Sequence, residues 1–131
     1  MSEANVEIVR RQNEAFNRGD LARLLELADP NIEWWDRQDD PGADVHRGHE
    51  GLRKAFAELA DLAELHLEPK EFIDAGDYVV VPVRVTGRGQ TSGVSFAEDE
   101  VQVFRLRDGK ITELREYREK GEALEAVGLS E

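Results

Sequence analysis

The chain has 131 residues, with 29 Asp and Glu against 17 Lys and Arg, which gives a formal net charge of −12 at pH 7. A length below roughly 150 residues is typical of one domain, and 40% hydrophobic residues are enough for one core. The chain has no cysteine, which excludes disulfide scaffolds, thiolate zinc sites, iron–sulfur clusters and cysteine nucleophiles. We therefore predict a single domain over residues 1–131.

The charges also limit the expected partners and location. Nucleic acids bind basic surfaces that displace counterions, whereas the Lys and Arg residues here are scattered along an acidic chain. The longest apolar run, residues 79–81, is far below the roughly 20 residues of a membrane helix. The N-terminal sequence is charged where a signal peptide needs an apolar block. We expect a cytoplasmic protein with no nucleic-acid or membrane partner.

The first elements in chain order are two predicted helices. Apolar residues recur at helical spacing over residues 4–18, and Gly19 provides a stop. Asp20 is well placed as the N-cap of a second helix, which Asp29 and Pro30 end. The predicted buried stripe of this second helix comprises Leu21, Leu24, Leu25 and Ala28.

A short aromatic strand is predicted next, over residues 31–36, and a polar loop rich in turn formers follows it. Loops of this length often form binding mouths. From Gly51 onwards, helical spacing returns and predicts a third helix; its apolar positions are Leu52, Phe56, Leu59 and Ala63.

The period then changes to two, which predicts strands. Their predicted ranges are 65–73, 78–88, 94–107 and 111–117. Pro82 has no N–H to donate, so we predict an edge or a bulge there. Asp108 and Gly109 form a strong hairpin turn signal, and a terminal helix is predicted over residues 122–127, ending at Gly128. Helices against one face of an antiparallel sheet indicate an α+β domain.

With this order of elements, the chain resembles the nuclear-transport-factor-2-like superfamily, in its polyketide-cyclase-like (SnoaL-like) branch. The resemblance covers nearly the whole chain and rests on the sequences AFNRGD at 15–20, NIEW at 31–34, RGHEG at 47–51 and RDGKI at 107–111, and on Tyr117. It implies a cone-shaped curved sheet wrapped over about three helices, a pocket at the open end, and a homodimer through the outer face of the sheet. The superfamily includes isomerases, cyclases, dehydratases, hydrolases and non-catalytic binding proteins, so the fold alone does not define the function.

Glu116 is a candidate general base on the last strand. Alternation separates Thr112, Leu114 and Glu116 from Glu113, Arg115 and Tyr117. If the face with apolar Leu114 points inward, Glu116 enters the interior, where desolvation raises a carboxyl pKa toward a useful value. The alternative is that Glu116 pairs with an arginine or is solvated.

The preceding strand offers a pocket wall by the same alternation. Phe104 and Leu106 are predicted to face inward, which brings Gln102 and Glu100 toward the mouth of the pocket. The alternative register turns the two intervening valines toward the helices and leaves both polar side chains in water.

The first strand places Trp34 on the same face as Ile32 and Asp36, which predicts a core or pocket-wall role for the indole. Asp36 lies at the strand end and resembles, by location, the general-base aspartate of ketosteroid isomerases. Alternatively, it caps the turn into Arg37 and Gln38.

The histidines and the chain end supply further candidates. His46 is expected to bind ligand or to act in acid–base chemistry at the mouth. With Asp44 and His49 it imitates a metal cluster, but its spacing fits poorly, and we predict no metal and no organic cofactor. Glu119 stands where the resembling branch usually has an acid–base aspartate, and it alternatively favours the start of the terminal helix.

Two functional classes remain open from sequence. The first is an acid–base isomerase, cyclase or hydrolase that acts on a small, largely apolar substrate; the second is a non-catalytic ligand-binding or dimerisation module of the same fold. The predicted catalytic residues are Asp36, Glu116 and Tyr117, and the predicted ligand-binding residues are Trp34, His46, Phe56, Gln102 and Phe104. The predicted partners are a small-molecule ligand and a second copy of the chain, because apolar residues on both faces of residues 78–85 and 101–103 indicate a covered outer face.

Overall fold

The computed structural model describes residues 3–129, which form four helices and seven strands. The helices are α1 (Glu3–Arg18), α2 (Leu21–Leu27), α3 (Gly48–Leu62) and α4 (Lys120–Ala126). The strands are β1 (Ala28–Trp35), β2 (Val45–Arg47), β3 (Ala63–Pro69), β4 (Ile73–Ala75), β5 (Tyr78–Gly89), β6 (Ser95–Arg107) and β7 (Lys110–Tyr117). Within the described residues, no helix is both long and apolar enough to span a bilayer.

All seven strands belong to one curved sheet with the order β2-β1-β7-β6-β5-β3, and β4 also pairs with β5. The predicted α+β class is confirmed. The sheet is mixed and not purely antiparallel, because β1 and β7 run parallel. This pairing joins segments about eighty residues apart, and no local sequence signal specifies it.

The inner face of the sheet carries the main core. Val79 and Val81 of β5 and Phe104 of β6 are fully buried there, against Val9 of α1 and Leu52 of α3. Burial of such side chains is the principal force that holds the helices against the sheet. The first three helices therefore cover this inner face and leave a space between α3 and the open end of the sheet.

The outer face has its own apolar cluster, which α4 covers. Val80, Val101 and Val103 are buried against Ala123 and Leu124 of this helix. These valines were the basis for expecting a partner subunit on the outer face. Because α4 already buries them, they do not form the exposed apolar patch that the sequence led us to expect.

Several local sequence signals have the predicted structural effect. Asp20 caps α2, since its Oδ1 accepts a hydrogen bond from the backbone N–H of Arg23 at 3.1 Å. The turn between β6 and β7 places Asp108 at φ 51° and Gly109 at φ 78°, the pair of positive values typical of a type I′ hairpin. Both predictions are confirmed.

Two local predictions need correction. Pro82 was expected at an edge or a bulge, but β5 lies inside the sheet and pairs with β6 without a shift at this residue. The proline lies where the partner on the other side changes from β3 to β4, and its carbonyl accepts from the N–H of Lys70. The predicted strand over 65–73 is accordingly two strands.

Candidate functional site

A cavity of about 700 Å³ lies between α3 and the inner face of the sheet. Along α3 its wall runs from Leu52 through Phe56 to Leu62, and along β6 it runs from Phe96 to Phe104. Most of the lining side chains are aliphatic or aromatic, with a small number of polar groups between them. This composition is typical of small-molecule sites.

The strand register brings the polar groups together in two adjacent rows. Directly opposed residues present their side chains on the same face. The first row across the sheet contains His46, Trp34, Leu114 and Phe104. The next row contains Asp36, Glu116 and Gln102; the latter two oppose each other directly, and Asp36 lies one residue beyond the last β1–β7 pair.

Glu116 is the most perturbed acid of the site. Its Oε2 accepts a hydrogen bond from Trp34 Nε1 at 3.1 Å. Burial disfavours the charged carboxylate and, with the nearby charge of Glu100, raises the pKa of Glu116 from 4.5 to about 8. The indole N–H favours the charged form and partly opposes this rise. At neutral pH, Glu116 is therefore mainly a carboxylic acid.

Glu100 is a second acid on the inner face, two residues from Gln102 along β6. Burial raises its pKa above the ordinary glutamate value, while the nearby Arg37 guanidinium lowers it in part. Arg37 Nη1 lies 4.0 Å from Glu100 Oε2, and its Nη2 donates to Asp40 at 2.9 Å. The Arg37 charge is thus shared between the polar loop and the site.

Asp36 and His46 form a hydrogen-bonded pair at the β1 end. His46 Nε2 lies 3.3 Å and 3.2 Å from the two carboxylate oxygens of Asp36. Because a carboxylate oxygen accepts, His46 Nε2 is the donor in this contact. Asp36 also accepts from the backbone N–H of Asp44, so it orders the loop as well as lining the cavity.

The sequence of β2 and α3 allows His46 to take this position. The His46 ring packs edge-on against Trp34, with centroids 5.6 Å apart. Gly51 in the first turn of α3 lies so close that a Cβ there would be 3.0 Å from the His46 backbone carbon. A side chain at residue 51 would push the helix away from β2.

Seven of the eight predicted site residues line the cavity: Trp34, Asp36, His46, Phe56, Gln102, Phe104 and Glu116. Tyr117 does not join them. It packs on the outer face with the cluster beneath α4, because neighbouring strand residues point to opposite faces and Glu116 takes the inner one. The prediction that Tyr117 lies beside Glu116 at the mouth of the cavity was therefore wrong.

Two further candidates lie away from the cavity lining. Glu119 is exposed at the N-cap position of α4 and does not cap it with its side chain. His49 Nε2 donates to the carbonyl of Ala28 at 3.0 Å, which explains its position without a metal. Within residues 3–129, no group of three or more His, Asp or Glu side chains is arranged to hold a metal ion.

The cavity also contains residues that sequence reasoning missed. Gln12, Glu58 and Glu98 contribute to its lining, and the buried Arg37 lies 4.0 Å from Glu100. The strand alternation that predicted Gln102 also predicts Glu98, two pairs of residues earlier on β6. Burial of Arg37 depends on the course of the loop, which has no comparable periodicity.

The architecture matches that of known families. Residues 9–114 match the model of the SnoaL-like domain. The chain belongs to the SnoaL-like domain family. An NTF2-like protein from Burkholderia xenovorans LB400 is 31% identical, with a TM-score of 0.78 and 98% of each chain covered. The resemblance predicted from sequence is thereby confirmed.

Other solved structures share the fold at lower identity. TerC, co-crystallised with polyporic acid, is 24% identical, with a TM-score of 0.80 and coverage of 95% of this chain and 98% of TerC. A protein with a ketosteroid isomerase-like fold from Catenulispora acidiphila DSM 44928, in complex with trimethylamine, is 21% identical, with a TM-score of 0.77 and coverage of 94% and 93%. No functionally curated protein matches the sequence.

Proposed function

We propose that this SnoaL-like protein is an acid–base enzyme that binds a small, largely apolar carbonyl compound in the cavity. The observation that carries this proposal is a carboxylic acid, Glu116, with its pKa raised to about 8 in a mainly apolar cavity. A general acid works best when its pKa is near the working pH. The small ligands held by two fold neighbours, polyporic acid and trimethylamine, support a ligand-binding role for such a cavity.

Glu116 and the Asp36–His46 pair take complementary roles in this proposal. The protonated Glu116 donates a hydrogen bond to the substrate carbonyl oxygen and stabilises the negative charge that develops there. The Asp36–His46 pair removes a proton from the adjacent carbon, which gives an enol that is reprotonated to product. The sequence predicted Glu116 as a base; its raised pKa favours the role of acid in the free protein.

Deuterium exchange tests the proposal without knowledge of the natural substrate. Small ketones, such as cyclohexanone and acetophenone, are incubated with the protein in D₂O near neutral pD, and loss of the C–H signal next to the carbonyl is followed by proton NMR. We expect exchange clearly above the buffer rate. Glu116→Gln should reduce it by about 10²- to 10⁴-fold, the usual contribution of a general acid or base.

Two variants serve as matched controls for this experiment. Tyr117→Phe removes a hydroxyl on the outer face, and Glu68→Gln removes the charge of an exposed glutamate on β3. Both should leave the exchange rate within about twofold of the unmodified protein, since surface changes of this kind rarely disturb a distant site. A ketone that binds in the cavity without exchanging would contradict the proposal and support the binding-module alternative.

We also propose a homodimer, as the sequence predicted. The valines buried beneath α4 no longer support it, so the contact would use the rest of the outer face, where Arg84 Nη1 lies 3.2 Å from Asp99 Oδ1. Sedimentation velocity at micromolar concentration measures the mass directly. A single species of twice the chain mass is expected, and a monomer would contradict this proposal.

A further inference from the structure

Asn13 is a buried polar side chain of α1 that the proposed mechanism does not use. It is 2% exposed, and its Nδ2 lies 3.3 Å from the carbonyl oxygen of Val9, 3.2 Å from Gln12 Oε1 and 3.5 Å from Gln102 Oε1. Its Oδ1 has no hydrogen-bond partner among the described residues. A buried acceptor without a partner costs stability, so stability does not account for an asparagine at this position.

The carbonyl of Val9 fixes the orientation of the Asn13 amide. A backbone carbonyl only accepts hydrogen bonds, so the nitrogen of Asn13, and not its oxygen, must face Val9. The same nitrogen faces the Gln102 side chain, whose oxygen lies against it because the reverse orientation would bring two NH₂ groups together. At 3.5 Å this is a long hydrogen bond, and it still determines which end of the Gln102 amide faces α1.

Gln102 therefore turns its Nε2 away from α1 and toward the cavity that its side chain lines. The residue is only 4% exposed, and no acceptor among residues 3–129 takes a hydrogen bond from this nitrogen. The nitrogen is nevertheless not sealed in the protein, because the enclosed side-chain atoms without partners in the described chain are Asn13 Oδ1 and Arg37 Nε. The N–H groups of Gln102 are thus open to a ligand in the cavity.

The strand register places these N–H groups beside Glu116. Gln102 of β6 and Glu116 of β7 are directly opposed, and side chains at opposed positions share a face with Cβ atoms about 5 Å apart. An amide N–H and the O–H of the protonated Glu116 can therefore approach the same ligand oxygen. Two fixed donors directed at one oxygen stabilise negative charge that develops on a carbonyl during reaction.

We propose that Gln102 donates a second hydrogen bond to the substrate carbonyl oxygen, and that Asn13 is the positioning residue that holds the Gln102 amide in this orientation. The inference rests on the proposed function, in which Glu116 donates the first hydrogen bond. The sequence predicted Gln102 as a ligand-binding residue, and the contact with Asn13 assigns which of its atoms faces the ligand.

Infrared spectroscopy measures hydrogen bonds to a bound carbonyl group directly. Acetophenone labelled with carbon-13 at its carbonyl is bound to the full-length protein at pH 7, and an isotope difference spectrum isolates its C=O stretching band. Hydrogen-bond donors lower the frequency of this band. We expect Gln102→Leu to shift the band to higher frequency, and Asn13→Leu to shift it in the same direction by a smaller amount.

The same variants are compared in the ketone exchange experiment. Gln102→Leu should lower kcat by about 10²- to 10³-fold, the usual cost of losing one such donor, with a smaller change in KM. Asn13→Leu should lower kcat by about 10- to 10²-fold, because the donor is retained but no longer held in place. The double variant should lose no more than Gln102→Leu alone, since Asn13 acts only through Gln102.

Asn17→Ala is the matched control on the same helix. Asn17 pairs with the backbone of Leu67 and does not contribute to the cavity lining. Its replacement should lower the free energy of unfolding in urea and leave the carbonyl band and kcat unchanged. Asn13→Leu should show the opposite pattern, because it replaces an unpartnered buried acceptor with an apolar side chain of similar shape.

The outcomes separate this inference from the proposed function. An unchanged band in Gln102→Leu or Asn13→Leu, a further loss of kcat in the double variant, or no band from bound acetophenone would overturn the inference. Ketone exchange that neither variant lowers would overturn it and leave the proposed function in place. Band shifts in both variants of a protein without ketone exchange would support the donor pair while contradicting the proposed catalysis.

Discussion

Glu116 links the chemistry of the site to the stability of the protein. Its pKa is raised from 4.5 to about 8 on folding, so the folded state holds more protons than the unfolded state between these pH values. The free energy of unfolding consequently falls as pH rises from about 4.5 to about 8, and the penalty is absent at lower pH. The raised pKa of Glu100 acts in the same direction.

Replacing Glu116 with glutamine should remove this penalty and keep the shape of the side chain. The glutamine oxygen can still accept from Trp34 Nε1. We expect Glu116→Gln to raise the free energy of unfolding by about 2–4 kcal/mol at pH 8 and to change it little at pH 5, since one pKa unit corresponds to about 1.4 kcal/mol. Urea denaturation at the two pH values measures the difference.

Glu68→Gln provides the reference for this experiment, because it changes the same functional group on the exposed side of β3. It should leave the free energy of unfolding within about 0.5 kcal/mol at both pH values. A Glu116→Gln protein that is less stable at both pH values would show instead that the carboxylate is a structural partner in its charged form.

Among the elements, the edge of the sheet depends on one side chain of α1. Asn17 Nδ2 donates to the carbonyl of Leu67 at 2.8 Å, and its Oδ1 accepts from the N–H of the same residue at 2.7 Å. The asparagine thus pairs with β3 as a neighbouring strand would, and it blunts the unpaired edge. This contact also joins the helix layer to the sheet beside the cavity.

Removing this pairing should destabilise the fold. Asn17→Ala leaves a partly buried N–H and carbonyl of β3 without their partner, and we expect a loss of about 1–3 kcal/mol in the free energy of unfolding. Asn31→Ala, at an exposed position of β1, should cost no more than about 0.5 kcal/mol. Equal effects of the two substitutions in chemical denaturation would show that the bridge contributes nothing to stability.

The length of each element and the periodicity of its burial explain which elements could be predicted from the sequence. Alternation left two possible inward faces for β6 and for β7, and the faces that carry Phe104 and Leu114 are the ones buried in the main core, because burial imposes a strict period of two. β2 was missed: three residues are too few for a periodic signal, and it forms only by pairing with β1. The position of His46 opposite Trp34 depends on that pairing.

At the scale of the whole molecule, the fold brings strand ends that are distant in sequence to one side of the cavity. The parallel β1–β7 pair places the end of the first strand beside the end of the last, so that Trp34 reaches Glu116 across 82 residues of chain. Long-range pairing of this kind has no local sequence signature. The membership of a family and the alternation of each strand were predictable, whereas the contact between these two side chains was not.

The proposed role of Glu116 as a general acid depends on its protonation, which carbon-13 NMR of the glutamate carboxyl groups measures. Comparison of the spectra of the unmodified protein and Glu116→Gln assigns the resonance, and titration between pH 4 and pH 10 gives its midpoint. The structure predicts a midpoint near pH 8, with the neutral acid dominant at pH 7. A midpoint near the ordinary glutamate value of about 4.3 would contradict this role, because Glu116 would then be a carboxylate at neutral pH and have no proton to donate.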